Sequence, residues 1–230
     1  MTFVGVYKRM DAVLSIPRSI YLNWRLFGFP YCLKHGFPIL FGTSVKCVGM
    51  RKGGVIVRSP QNFGIRYGLK ESGSVGIAGN SNGYFVLGSK GTIVFHGDES
   101  LSQGIGIRVD SGTLKFGRNF SCNKNCFISC SEGVTFGDDV LLGWNINVRD
   151  SDGHEIRAMQ TGQCKENCKP VWVGDQVWIA SHVDLLKGAV VPNHSVVAYR
   201  SCVLKEFTQE HTLIGGFPAK VLEEDIIWKK

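Results

Sequence analysis

Aliphatic residues recur at a strict spacing of six in the C-terminal half of the chain: Val173, Ile179, Leu185, Val191, Val197 and Val203. Four residues beyond each of the first five lies a small or β-branched residue: Val177, Val183, Ala189, Ser195 and Ser201. The residue just after the aliphatic one is small at Gly174, Ala180 and Ala198, but not at Leu186 or Pro192. An earlier block keeps the period, with Phe136, Leu142 and Val148 at the large position and Val140 and Ile146 at the small one. Phe116, Cys122 and Ile128 form a third block. The step from Ile128 to Phe136 is eight, so one corner carries a two-residue insertion.

A period of six fits neither a helix, with its period of about 3.6, nor simple strand alternation. It fits a coil of triangular section, in which each hexad is a short strand plus a corner. The large residue points into the prism, and the small one points in beside the corner, where room is short. Successive coils then pair as parallel strands about 4.8 Å apart, and the inward column of aliphatic residues forms the core. The predicted fold class is mainly β, a parallel β-helix.

Upstream of residue 110 the hexads blur. Val55–Val57, Ser74–Ile77, Phe85–Leu87, Ile93–Phe95 and Ile105–Ile107 still read as strands between glycine-rich turns, which predicts wider early coils. Residues 1–40 differ, with Trp24, Phe27, Phe29, Phe37 and the prolines Pro17, Pro30 and Pro38. They predict a helical or irregular cap over strand edges that would otherwise lie open. Residues 41–218 are then the β-helix. Residues 219–230 predict a short C-terminal helix that packs Val221, Leu222, Ile226 and Trp228 onto the other end.

Composition narrows the classes. Hydrophobic residues are 43% and charged residues 20% of the 230, which excludes a disordered chain. The net charge of +7 favours an anionic partner, either a nucleic acid, a membrane surface or a phosphate-bearing cofactor. The basic residues contain no run of five, which argues against nucleic acid. Charges at Lys8, Arg9, Asp11, Arg18 and Arg25 break every apolar run near the N-terminus, so neither a secretion signal nor a membrane span is expected. The eight cysteines are then expected to be reduced and the protein cytoplasmic. Cys122, Cys126 and Cys130 read as small core residues, and neither they nor Cys164 and Cys168 match paired zinc-binding motifs.

The repeat is interrupted once, between Val148 and Val171, by a segment that contains DSDGHEI. A long loop in a regular solenoid is more often functional than not. His154 sits there among Asp150, Asp152 and Glu155. Imidazole, with an ordinary pKa of about 6.5, suits a general base that takes a proton from an attacking hydroxyl. On the residues alone, a plain surface histidine is the competing reading.

Three stretches resemble the hexapeptide-repeat acyltransferases: FGRNFSCNKNCFI, VTFGDDVLLGWNINVRDSDGHEI, and the segment from VWVGDQ to GGFPAK. Within that superfamily they are similar to the sugar O-acetyltransferases, such as the galactoside, maltose and capsule-synthesis enzymes. The resemblance covers roughly residues 110–225 and is loose over the N-terminal hundred. It implies a left-handed helix with about eighteen residues per coil. It also implies a homotrimer with active sites between subunits, and direct transfer from acetyl-CoA to a sugar hydroxyl with no metal and no covalent enzyme intermediate. A surface polysaccharide or glycoconjugate is the acceptor class it implies.

By the same resemblance His154 is the catalytic base, and Asn123, with Asp150, Asp152 and Glu155, meets the acceptor. The family pattern has an acidic residue where this chain has Ser131, followed by Glu132. Trp178 would wall the thioester channel, and Ser181, Ala198, Tyr199, Lys205, Gly216, Phe217 and Lys220 would line the coenzyme site. The usual Gly-Ala-Gly is replaced by Ala198-Tyr199-Arg200. The basic, aromatic N-terminal cap suggests peripheral membrane association.

Other readings differ in what they require. N-acetylation of an amino-sugar nucleotide would use the same base, a scaffold would bind no coenzyme, and a cysteine nucleophile would need a thiol beside His154. A carbonic anhydrase of the β-helix type needs three histidines on zinc. His182 and His194 lie two hexads apart, hence on different sides of the triangle, and His96, His154 and His211 read as dispersed.

Overall fold

The computed structural model describes residues 3–69 and 81–229. Three sheets of nine, seven and six strands, parallel except for the last strand of the first, wrap into a left-handed parallel β-helix of triangular section. One turn runs through Ser121–Cys122 on face one, Phe127–Cys130 on face two and Gly133–Phe136 on face three, then returns to face one at Leu141–Leu142. Trp178 pairs with Val196, a register of eighteen, whereas Cys122 pairs with Leu142, a register of twenty that absorbs the two-residue insertion. The expected strand at Ser74–Ile77 lies outside the described residues.

Every residue of the hexad columns from Val173 to Val203 points into the prism, as do Val177, Val183, Ala189, Ser195 and Ser201 beside the corners. Toward the N-terminus the interior widens and is filled with rings. Phe95, Phe116 and Phe136 stack on face three with centroids 5.2 and 5.6 Å apart, and Phe41, Tyr67 and Phe85 meet at 5.4–5.6 Å. Cys122, Cys126 and Cys130 are buried, and all eight thiols are free.

The N-terminal cap is helical, with α1 spanning Phe3–Phe27 and α2 spanning Phe29–His35. α1 lies against the first rung, Ile39–Phe41, which has a strand neighbour on one side only. Side chains of α1 replace the missing strand. The Asn23 amide donates to the Ile39 carbonyl at 2.7 Å and accepts from the Ile39 N–H at 3.0 Å. The Phe41 N–H donates to the Ser19 hydroxyl at 2.9 Å. Arg18 donates to the carbonyls of Gly42 and Val45.

The expected C-terminal helix is absent. Leu213–Gly216, the last rung of face one, is followed by a strand, Ala219–Glu223, that folds back antiparallel on it. A helix there would leave the backbone groups of the last rung unpaired, whereas the strand satisfies them. Val221 and Leu222 consequently stay exposed rather than packing down. Trp228 does reach back, donating to the Gln176 carbonyl at 2.8 Å and lying 6.2 Å from the Trp178 ring.

Candidate active site

The long insertion leaves the prism where face two ends, between Asn147–Arg149 and Val171–Val173. Asp150 fixes its first residue. Its carboxylate is buried and accepts the N–H groups of Ser131, Glu132 and Gly133 of the preceding coil, all at 2.8–3.0 Å. A fully buried carboxylate held by three N–H groups is placed to anchor the loop rather than to face a ligand. The Ser131 N–H is one of the groups that hold Asp150.

Asp152 is spoken for as well, paired with the Lys187 ammonium, which also donates to the Glu166 carbonyl at 2.6 Å. Glu155 pairs with Arg157 along the exposed bend. His154 is exposed on that bend, next to Gly153, whose φ of 76° makes the tight turn.

Beneath the bend, on the outer surface of face two, opens a groove of about 570 Å³. Arg108, Phe127, Ser129, Arg149, Ser151 and Gly153 line it, among others. Strand register stacks Arg108, Ser129 and Arg149 on neighbouring rungs. The Arg149 guanidinium lies 5.3 Å from the Phe127 ring centre, and its Nε donates to Asn147 at 2.9 Å. Arg108 pairs with Asp110 at 2.8 Å. A groove with two guanidinium groups, the carboxylates of Asp110 and Asp152, a ring face and hydroxyls suits a polar ligand such as a sugar. The sequence reading missed both arginines. They sit at outward strand positions some forty residues apart in the chain, and only the register places them together.

Most of the expected coenzyme residues gather on another edge, where face one turns into face two. Ser181, Ala198 and Tyr199 follow face-one strands at this corner, as does Asn123, which was expected at the acceptor; Gly216 ends the last face-one strand and Phe217 follows it. Ser181 accepts the Trp144 N–H at 3.1 Å, and Gly216 donates to Ser201 at 3.0 Å. The departure at Ala198-Tyr199-Arg200 leaves the turn intact, because Arg200 takes φ 57° just as His182 takes 60° one coil below. Tyr199 then stands out from the corner, edge-on to His182 at 5.5 Å. Phe217 is 81% exposed. Trp178 lies on the outer surface of face one, partly covered by Trp228. Lys220 lies on the final antiparallel strand. Lys205 lies apart from this ladder, after the face-two strand Cys202–Val203, with its ammonium 5.2 Å from the Phe207 ring centre.

Two buried thiols are held protonated. Burial and the neighbouring Asp150 carboxylate push Cys130 up to about 12. Cys122 is raised too, by its neighbour Cys126 and by burial. Neither can serve as a thiolate nucleophile near neutral pH. His182 and His194 fall on different corners, as their spacing predicts. His211, expected to be dispersed, instead stacks on His194 with ring centres 4.7 Å apart, because the shortened last coil brings both to the same corner. The third potential ligand beside them is the Glu210 carboxylate rather than a third imidazole.

No protein-family model matches the chain. Among curated proteins, the provisionally named lipopolysaccharide biosynthesis O-acetyl transferase WbbJ of Escherichia coli K12 is 28% identical over 148 residues, 57% of this chain and 74% of that protein. The galactoside O-acetyltransferase of Escherichia coli K12 is 31% identical over 111 residues, 48% of this chain and 54% of that one. The polysialic acid O-acetyltransferase of Neisseria meningitidis is 25% identical over 95 residues, 41% of this chain and 44% of that one. The matches thus span about half the length of the latter two relatives. Among solved structures, the polySia specific acetyltransferase NeuO aligns with a TM-score of 0.48 and 19% identity, covering 81% of this chain and 71% of that chain.

Proposed function

We propose that this homologue of sugar O-acetyltransferases moves an acetyl group from acetyl-CoA to a sugar hydroxyl, with His154 as the general base. The observation that carries the reading is the position of His154. It follows Asp152 and Gly153, which line a groove of about 570 Å³ beside the long loop, and that neighbourhood supports the assignment.

His154 takes the proton of the acceptor hydroxyl as that oxygen attacks the thioester carbonyl carbon. The C–S bond then breaks, and the imidazolium returns its proton to the departing sulfur. The acetyl ester and the free coenzyme thiol balance the reaction. Transfer is direct, in keeping with the buried, protonated Cys130. Asn123 and the groove orient the acceptor. Asp150 and the Lys187–Asp152 pair hold the base in place from below. The coenzyme arm lies along the corner of Ser181, Ala198 and Tyr199, between Trp178 and Phe217, with Lys205 and Lys220 for the phosphates.

His154 and that corner border face two on opposite sides, so one chain offers two half-sites. A neighbouring copy whose corner lies against this groove completes both, which supports a homotrimer with sites between subunits. We assign the acceptor to surface polysaccharide or glycoconjugate synthesis in the cytoplasm.

The test is His154→Ala. Turnover with acetyl-CoA and a panel of hydroxyl and amino sugars should fall at least about a hundredfold, while coenzyme affinity by calorimetry stays close to wild type. Unchanged turnover removes His154 from the mechanism, and acetylation of amines alone overturns the choice of hydroxyl.

A further inference from the structure

We propose that the outer face of α1 docks on the surface of an anionic phospholipid bilayer. Leu22 and Leu26 of this helix pack into the core, yet much of its buried side is polar and much of its outer side apolar. Asp11, Ser15, Ser19 and Asn23 are buried toward the first rung, whereas Met10, Val13, Leu14, Ile20, Tyr21 and Trp24 are 39–64% exposed. With exposed Pro17 between them, these residues recur every three or four positions and form one stripe along the helix. α2 adds Phe29 and Leu33, 60% and 72% exposed. Large exposed apolar surfaces of this kind mark an interaction site, and Trp and Tyr settle well at the headgroup level of a bilayer.

Charge decides the occupant. Residues 1–70 contain eleven Lys and Arg against one acidic residue, Asp11, which is buried. The rest of the chain contains fifteen basic against eighteen acidic residues. The entire positive excess therefore belongs to the segment that carries the apolar stripe. Arg25, Lys34, Lys46, Lys52 and Arg58 are exposed on it. The Lys52 ammonium sits at the junction of the two helices, 3.3 Å from where a β-carbon on Gly28 would be. A second copy presenting the same face would bring like charges together, whereas an anionic bilayer attracts them. Among the described residues no helix is long and apolar enough to cross a membrane, so α1 would lie in the interfacial plane. The inference stands on this surface alone and needs no assumption about acyl transfer. If both hold, the groove would work beside a lipid-carried acceptor.

The experiment is co-sedimentation of the full chain with vesicles of phosphatidylcholine alone, or with about a quarter phosphatidylglycerol. Binding should be at least tenfold tighter to the anionic vesicles and should weaken between about 0.1 M and about 0.5 M salt. Trp24→Glu should reduce it at least tenfold. Arg25→Glu with Lys34→Glu, both exposed and remote from the core, should reduce it with an unchanged circular dichroism spectrum. Equal binding to both vesicle types, or no binding, overturns the proposal. So does loss of oligomer mass in Trp24→Glu without vesicle binding by wild type, which would make the stripe a contact between copies.

Discussion

Asp150 and Glu99 are both buried carboxylates that accept backbone N–H groups, yet burial shifts their meaning in opposite ways. Asp150 takes up three donors at the root of the long loop. Asp150→Ala would strand those donors at a cost of about 3 kcal/mol, a fall of roughly 6–10 °C in melting temperature. Differential scanning calorimetry reads that fall, and activity should drop with it because His154 loses its footing. Glu99 is fully buried, and burial pushes its carboxyl up to about 7, against the N–H groups of His96 and Gly97, which favour the anion. The folded state therefore holds a proton that the unfolded chain has released between about pH 4.5 and pH 7. Its contribution is fully present below pH 4.5 and is lost as pH rises through 7, by about 3 kcal/mol at most. Glu99→Gln should flatten this part of the melting-temperature profile between pH 5 and pH 8; an unchanged slope would exclude Glu99 as its source.

At the scale of elements, each strand or helix is defined by the edge it must satisfy. Asn23 and Ser19 of α1 give the first rung the hydrogen bonds of a missing strand. Asn23→Ala should cost about 1–2 kcal/mol and speed amide exchange at Ile39 well beyond that at Ile107, which is paired on both sides. The hexad columns were legible because a large inward residue every sixth position has no other use. The long loop between Arg149 and Val171 was legible because it breaks that count. The C-terminal tail misled: Val221, Leu222 and Ile226 carry a helix-like spacing, and an open rung overrode it. The groove arginines were invisible because outward strand positions carry no periodic demand, and pairing across coils is a tertiary fact. Nor did the even scatter of lysine and arginine reveal that their excess sits wholly in residues 1–70.

For the molecule as a whole, the proposed function makes assembly part of the chemistry, because His154 and the corner of Ser181, Ala198 and Tyr199 border face two on opposite sides. Light scattering should give three times the chain mass of 25.3 kDa. His154→Ala and Ala198→Trp, the second chosen to fill the pantetheine path, should each be inactive alone. Co-expressed, they should regain activity, because some mixed trimers hold one intact site; no recovery would place the whole site within a single chain. One further property follows from how the prism is closed. Stacked rungs of this kind have no internal reason to stop, since each exposes the template for the next. Here the helix seals one mouth, and the folded-back strand, ending at Glu223 and followed by Glu224 and Asp225, shields the other. Stripped of that returning strand, the last rung would become a seed, and an enzyme would turn into the growing tip of a fibre.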